Sequence, residues 1–445
     1  MLSLTVLADE FSGTGEEHAD FDVIRCWKPN SLSNPARLLR AFRETKPDVV
    51  WFNSVFSSFG TSAAPAFLGL CAPALARAAG YSTHVTLHHL FEGINLADAG
   101  VKHPLLYNLG GAVATRLLLL ADSVTVLLPA YRRTLIQKYK GHNIHLRAHG
   151  VFAGTPQYPD FSQRDNPEQR ILAFGKWGTY KRLEILISAF ERVAREMPNA
   201  RLVIAGENHP SAPGYVESIA ARVKDNPQIT VRGYVHEDDI PDLFNSASVM
   251  VMPYTSATGS SGVAHQACQF GVPIISADIP DFFDMAAEEH IAMDFFERGN
   301  AGSLADKLVT VLADDLRRRE MAEQNFHAAM RMTMPQVIRQ YVRTFDWHRA
   351  ARFANVPRFS RLRHYTPAWS NISGISVNLP PRPALVPITA VANTISTLRP
   401  ELAPPLVSST APVPAPSHGL RNVRPSRSPA SGRRPPLTMP KEEAA

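Results

Sequence analysis

Two stretches near the middle of the chain combine small residues, cations and a helix start in a way that suits an anion. The first is Thr258-Gly259-Ser260-Ser261-Gly262-Val263-Ala264-His265-Gln266-Ala267-Cys268-Gln269-Phe270-Gly271-Val272-Pro273. It lies between a β-branched run ending at Met252-Pro253 and another beginning at Pro273. Ser260 or Ser261 can cap a helix that Gly271 ends. The small residues 259–262 leave the first backbone N–H groups open at the positive end of that helix, where an anion is held. The glycines alone fit an ordinary capped helix better than a ligand site. The second stretch, Gly175-Lys176-Trp177-Gly178-Thr179-Tyr180-Lys181-Arg182, also follows a strand and opens a helix. Three cations at a helix N-terminus oppose its dipole, an unfavourable placement unless an anion sits among them. The cluster reads as a diphosphate clamp, with charge-assisted hydrogen bonds of roughly 1.5–3 kcal/mol each.

Further candidates end two strands nearer the N-terminus: Asn53 after Asp48–Phe52, and His88-His89 after Val85-Thr86-Leu87. Three other patterns are decoys. Asp20-x-Asp22 has the spacing of a metal-binding carboxylate pair but sits at the start of a strand, the wrong end of a sheet. Glu237-Asp238-Asp239 is expected to cap the helix before Pro241–Phe244. Ser12-Gly13-Thr14-Gly15 is too short and wrongly flanked for a dinucleotide loop.

The elements that must position these residues alternate strand and helix up to about residue 330, as in parallel α/β sheets. In the first half, Leu2–Leu7, Asp22–Trp27, Asp48–Phe52, His84–Leu87 and Ser123–Leu128 read as strands, and Pro35–Glu44 and Ala64–Ala79 as helices. In the second half, Ile171–Phe174, Arg201–Ala205, Ile229–Arg232, Ser248–Met252 and Pro273–Ser276 are strands. Arg182–Glu196 is a helix with Leu183, Leu186, Ile187, Phe190 and Val193 on one face. The pattern predicts an N-terminal Rossmann-like domain over 1–155, a polar linker over 156–168 and a C-terminal one over 169–334. A final amphipathic helix covers 335–350. The first unit opens irregularly, with no helical period between its first two strands, as though its first strand-turn-helix were missing.

The 445 residues allow two or three domains. Residues 380–445 hold 15 of the 36 prolines with almost no aromatics, so 365–445 is expected to be a disordered Pro/Arg-rich tail. Cys26, Cys71 and Cys268 are odd in number and widely spaced, which excludes a disulfide scaffold and points to a reducing compartment. No secretory signal and no membrane-spanning run is read from the sequence. The net charge of +6 divides unevenly. Residues 331–445 hold 16 Lys+Arg against 4 Asp+Glu, whereas residues 1–330 hold 30 against 36.

Taken together, Gly175-Lys176…Lys181, Val203–Glu207 ("VIAGE"), Val231–Val235 ("VRGYV") and the Thr258–Pro273 segment resemble nucleotide-sugar glycosyltransferases of family 4, of GT-B fold. The resemblance covers roughly residues 20–350. It implies two facing Rossmann-like domains and a retaining, metal-independent transfer from a UDP- or GDP-type sugar, the substrate itself, with no cofactor. It places Gly175, Lys176, Lys181, Ser260, Ser261 and Gly262 on the diphosphate, and Thr258, Gly259 and Gln266 on ribose and donor sugar. The nucleobase falls near Gly233, Tyr234 and Val235. His88 faces the donor sugar as the catalytic candidate, and Asn53 faces the acceptor. Thr258 and Gln266 stand where the family has two glutamates. Gln266 can still bridge a ribose diol, at a loss of about 1 kcal/mol.

The expected function is therefore a cytoplasmic glycosyltransferase for glycan or polysaccharide assembly on a glycan or lipid-linked acceptor. The alternative is a catalytically degenerate relative that binds a nucleotide or a protein. Nucleic-acid binding, suggested only by the pI near 9.2, has no supporting motif. Attraction to an anionic membrane face belongs to the tail, at roughly 1 kcal/mol per well-placed charge. Deleting residues 371–445 is expected to lower sedimentation with anionic vesicles and to leave donor binding intact.

Overall fold

The structure is a computed structural model that describes residues 3–10, 21–93, 104–152, 158–161, 168–256 and 259–353. The expectations made for Ser12–Gly15, Asp20, Thr258, most of the linker and the tail lie outside the described residues. The first half contains β1 (Thr5–Asp9), β2 (Asp22–Trp27), α1 (Asn34–Thr45), β3 (Val49–Ser54), α2 (Ala63–Leu70), α3 (Ala72–Ala78), β4 (Ser82–Leu87), α4 (Pro104–Leu118), β5 (Ser123–Val126), α5 (Pro129–Tyr139) and β6 (Ile144–Leu146). The second contains β7 (Arg170–Phe174), α6 (Glu184–Glu196), β8 (Arg201–Ala205), α7 (Tyr215–Val223), β9 (Ile229–Arg232), α8 (Ile240–Asn245), β10 (Val249–Met252), α9 (Gly262–Gln269), β11 (Ile274–Ala277), α10 (Pro280–Glu289), β12 (Met293–Phe296), α11 (Ala301–Ala313) and α12 (Asp315–Arg331). Helix α13 (Met334–Phe353) closes the described chain.

All strand pairs are parallel. The second-half sheet has the order β12-β11-β10-β7-β8-β9, a doubly wound sheet whose direction of travel reverses between β7 and β10. Helices cover both faces, so its central strands are apolar throughout. Ile171, Leu172, Val249, Met250, Ile274 and Ile275 are fully buried. In the first half β3-β4-β5-β6 form one sheet, and β1 and β2 pair separately. The irregular opening noted in the sequence thus coincides with a sheet in two pieces.

Helix α6 buries Leu186, Ile187, Ala189, Phe190 and Val193, the stripe expected from its period. The single helix expected over Ala64–Ala79 is two, broken at Cys71. Pro73, in the first turn of α3, has no N–H to donate and its ring opposes the carbonyl four residues back. The acidic run Glu237–Asp239 forms a 3-10 turn, and the expected carboxylate cap is absent. The His236 ring accepts the Asp238 N–H instead, at 3.4 Å.

Helix α13 follows the second domain in sequence but packs on the first. Tyr341 lies 4.8 Å from the Trp51 ring, Phe345 lies 4.4 Å from His84, and Arg147 donates to Thr344 Oγ1 at 2.9 Å. Both passages of the chain between the domains run side by side, joined by the Val151 N–H to Met332 carbonyl bond of 3.0 Å and a Val151–Thr333 bridge. Opposite them, Tyr131 on α5 donates to Asp281 on α10 at 3.1 Å, and Arg133 pairs with Asp284. Among the described residues no helix is long and apolar enough to cross a membrane.

Asn325 on α12 is fully buried and fixes the strand ends beside α9. Its Oδ1 accepts the Ala292 N–H at 2.7 Å, and its Nδ2 donates to the Val272 and Ala292 carbonyls at 2.9 and 3.1 Å. Asn325→Ala strands those backbone groups and is expected to cost about 2 kcal/mol, read as a lower urea midpoint at unchanged m-value.

Candidate active site

Ligands of doubly wound sheets lie outside the strand carboxyl ends at the point of reversal. Here that point is between β7, followed by Gly175, and β10, followed by Tyr254. A pocket of about 290 Å³ opens there, between Lys181, Tyr254 and the residues 259–263 that begin α9. It is at the small end of the range for small-molecule sites (~300–1,000 Å³), so a longer ligand would continue along the cleft. Two larger depressions, around His327 and around Arg222, are at the amino ends of strands, away from this crevice.

The loop after β7 is built to place one ammonium. Trp177 is fully buried and donates from Nε1 to the Ala205 carbonyl at 2.9 Å. Gly178 and Lys181 exchange two backbone hydrogen bonds of 3.0 Å, closing a turn with Gly178 at φ 104° and Thr179 at φ 53°. Gly206, at φ 115°, lies so close to this loop that a Cβ would sit 1.9 Å from the Gly175 carbonyl oxygen. Lys181 Nζ ends 4.9 Å from the Tyr254 ring centre and 5.9 Å from that of Tyr180. Burial pulls its pKa below the usual lysine value. No carboxylate pairs with it among the described residues. The Tyr254 hydroxyl is itself buried and, among the described residues, without a hydrogen-bond partner. Cation–π contacts hold the ammonium in place without neutralising it.

Across the pocket, Ser261 caps α9, its Oγ accepting the Ala264 N–H at 3.3 Å. The helix ends in a Schellman motif. Gly271 (φ 57°) donates to the Cys268 carbonyl at 3.0 Å and Val272 to that of Ala267 at 2.9 Å. Gly259, at φ 92°, touches the other domain, where a Cβ would lie 2.3 Å from the His88 carbonyl oxygen. Its N–H lies against the Asp281 carboxylate, whose pKa burial raises. Among the described residues the backbone N–H groups of 260–263 have no partner, a set shifted one position on from the expected 259–262.

On the first-domain side, His88 Nε2 is 2.6 Å from Asn53 Oδ1, and burial holds the imidazole pKa below its ordinary value. His89 faces away onto the Phe56 ring. His149, from the segment joining the domains, lies 6.2 Å from the His88 ring and 5.0 Å from that of His265.

The structure therefore gathers Gly175, Lys181, Gly259, Ser260, Ser261, Gly262 and Gln266 around one crevice, with His88 and Asn53 opposite. Lys176 is exposed and does not line the pocket. The Gly233 carbonyl accepts the Gly206 N–H at 3.0 Å, so Gly233–Val235 adjoin the loop through Gly206. Val235 is buried and Tyr234 is 67% exposed. Sequence reasoning missed Tyr180, Tyr254, Phe152, His149 and the Tyr131–Asp281 contact. Only Tyr254, the second residue after a strand at the reversal point, carried a local signal.

Two facing α/β units joined by paired crossings, with a crevice at the reversal point, define the GT-B class. Residues 168–314, most of the second domain, match the family described as group 1 glycosyl transferases. An uncharacterized glycosyltransferase of Methanocaldococcus jannaschii is 28% identical over 148 residues, 33% of this chain. The chain spans 36% of that relative's length. Among solved structures, the sucrose-phosphate synthase of Thermosynechococcus elongatus superimposes with a TM-score of 0.60 at 15% identity, over 78% of this chain and 88% of the other. HepE of Anabaena, in complex with UDP and glucose, gives 0.53 at 17% identity, over 73% and 86%.

His145 and His149 are held neutral, each with its pKa pushed down to about 4 chiefly by burial. The unfolded imidazole titrates near ~6.5, so between those values the unfolded chain binds more protons. Their contribution to stability is full above pH 6.5 and is lost as pH falls toward 4. His149→Asn is expected to flatten the fall in melting temperature between pH 7 and pH 5, measured by scanning fluorimetry.

Proposed function

We propose that the protein is a glycosyltransferase that moves a sugar from a nucleotide-diphosphate donor to a hydroxyl acceptor. The observation that carries this reading is Lys181: a half-buried ammonium with aromatic neighbours and, among the described residues, no carboxylate, opposite the open start of α9. A diphosphate between them supplies the missing counter-charge. The UDP and UDP-glucose held by HepE make UDP-sugars the first donors to try.

The chemical demand is to stabilise the departing diphosphate as the glycosidic bond breaks. Lys181 and the N–H groups of 260–263 stand ready for that charge in a half-buried crevice. These groups serve in place of a metal, and the nucleotide-sugar is substrate with no further cofactor. Gln266 bridges the ribose diol, Gly233–Val235 border the base, and Lys176 reaches the diphosphate from the rim when donor binds. His88, oriented by Asn53, faces the donor sugar, and the acceptor occupies the first-domain side. Retention of configuration follows the resemblance to family 4. The setting is glycan or polysaccharide assembly on a glycan or lipid-linked acceptor, in the cytoplasm, with the basic tail against the membrane face.

A second reading, a degenerate relative that binds a nucleotide or a protein without turnover, is favoured by Thr258 and Gln266, neutral side chains where the family has two carboxylates. A screen of UDP- and GDP-sugars for nucleotide release decides between them: tight binding with no release in any acceptor mixture would establish the second. Lys181→Ala is expected to lower transfer about 10²-fold or more. Wild-type turnover in that variant would remove Lys181, and the reading with it.

A further inference from the structure

Behind the first turn of α9 lies a buried ionic pair that the donor site does not use directly. His265 is fully buried, and the Glu289 side chain, at the end of α10, is 7% exposed. His265 Nδ1 is 2.7 Å from the Ser261 carbonyl oxygen, which also accepts the His265 backbone N–H at 3.2 Å. His265 Nε2 is 2.8 Å from Glu289 Oε2. That contact lies off the N–H direction and acts as an ion pair rather than a linear hydrogen bond. A carbonyl only accepts, so Nδ1 carries a proton. A neutral Nε2 only 2.8 Å from a carboxylate oxygen would be repelled by it, so Nε2 carries one too. The pair is imidazolium and carboxylate. Burial alone would lower the histidine pKa, but Glu289 and the Ser261 carbonyl outweigh it and hold it above the ordinary value.

A peptide unit is planar and trans, so its C=O and N–H point in opposite directions. The unit that contains the Ser261 carbonyl also contains the Gly262 N–H. Drawing that carbonyl down the helix onto His265 aims the Gly262 N–H out of the helix start, into the pocket beside Lys181. The positive charge at the carbonyl end also polarises the unit and strengthens its N–H as a donor. Two apolar side chains would fill the same space without desolvating two charges. What the pair adds is a fixed peptide plane. We propose that His265 and Glu289 are positioning residues for the donor diphosphate, acting through the Ser261–Gly262 peptide unit. This rests on the reading of the crevice as a nucleoside-diphosphate site.

The test uses the full chain as wild type, Glu289→Gln and His265→Gln, with thermal unfolding to establish that each is folded. UDP and GDP are titrated by calorimetry, and the matching nucleoside, uridine or guanosine, by ligand-observed NMR. The first variant keeps the shape of the carboxylate, and the second keeps a side-chain donor while removing the charge. The expected result is about tenfold weaker binding of the nucleoside diphosphate in either variant, the scale of one charge-assisted hydrogen bond. Nucleoside affinity stays unchanged. Wild-type diphosphate affinity in a folded variant would overturn the proposal, as would an equal loss for nucleoside and diphosphate, which marks a general loosening of the domain. A wild-type protein that binds neither UDP nor GDP would instead remove the donor reading itself.

Discussion

An ammonium taken out of water must be compensated, and at Lys181 the protein supplies only part of that compensation. The rings of Tyr180 and Tyr254 provide a favourable field, yet among the described residues no carboxylate pairs with the ammonium and the neighbouring Tyr254 hydroxyl has no hydrogen-bond partner. Desolvation of a charge costs several kcal/mol, and a cation–π contact returns only about 0.5–2 kcal/mol of it. What remains uncompensated is the part of the charge turned toward the pocket. It lies where the sheet reverses direction and where an arriving anion would meet it.

Much of the second domain can be understood as the support such a site needs. The Lys181 turn cannot move toward β8, because Gly206 already lies against the Gly175 carbonyl. Trp177 locks it from below through the Ala205 carbonyl. On the opposite wall, α9 is held at its start by Ser261 and His265 and at its end by Gly271, which packs against Phe161 and α12. Asn325 then ties α12 to the strand ends. Each contact removes one way in which the two walls could drift apart, and preorganisation of this kind is what electrostatic stabilisation requires.

The legible parts of the chain were those whose physics is local. Strands β7, β8 and β10 are apolar because parallel strands are buried on both faces, and α9 was marked by a serine before it and a glycine after it. The expectation of an anion at both loops rested on cations or bare N–H groups at helix starts. Other features depended on residues brought from far away. The Tyr254 ring meets Lys181 across 73 positions of sequence, and Glu289 reaches His265 from the next helix. No spacing rule reveals such pairs. The break at Cys71 was readable in principle, since Pro73 stood in view, but the apolar period on either side concealed it. The acidic run at 237–239 misled because charge suggested a cap that His236 provides.

The side-by-side crossings at Val151 and Thr333 have a consequence for motion. A single linker would let the domains tumble about three axes. Two strands of chain, hydrogen-bonded to each other and anchored by α13 on the first domain, leave one easy rotation, like a door on its pin. Along such an arc every point of the far edge has a fixed destination. The Tyr131–Asp281 and Arg133–Asp284 contacts lie at that edge and close at the same angle that brings Gly259 against His88. Opening and closing thus reduce to one coordinate, and Gly259 and His88 need no search to find register.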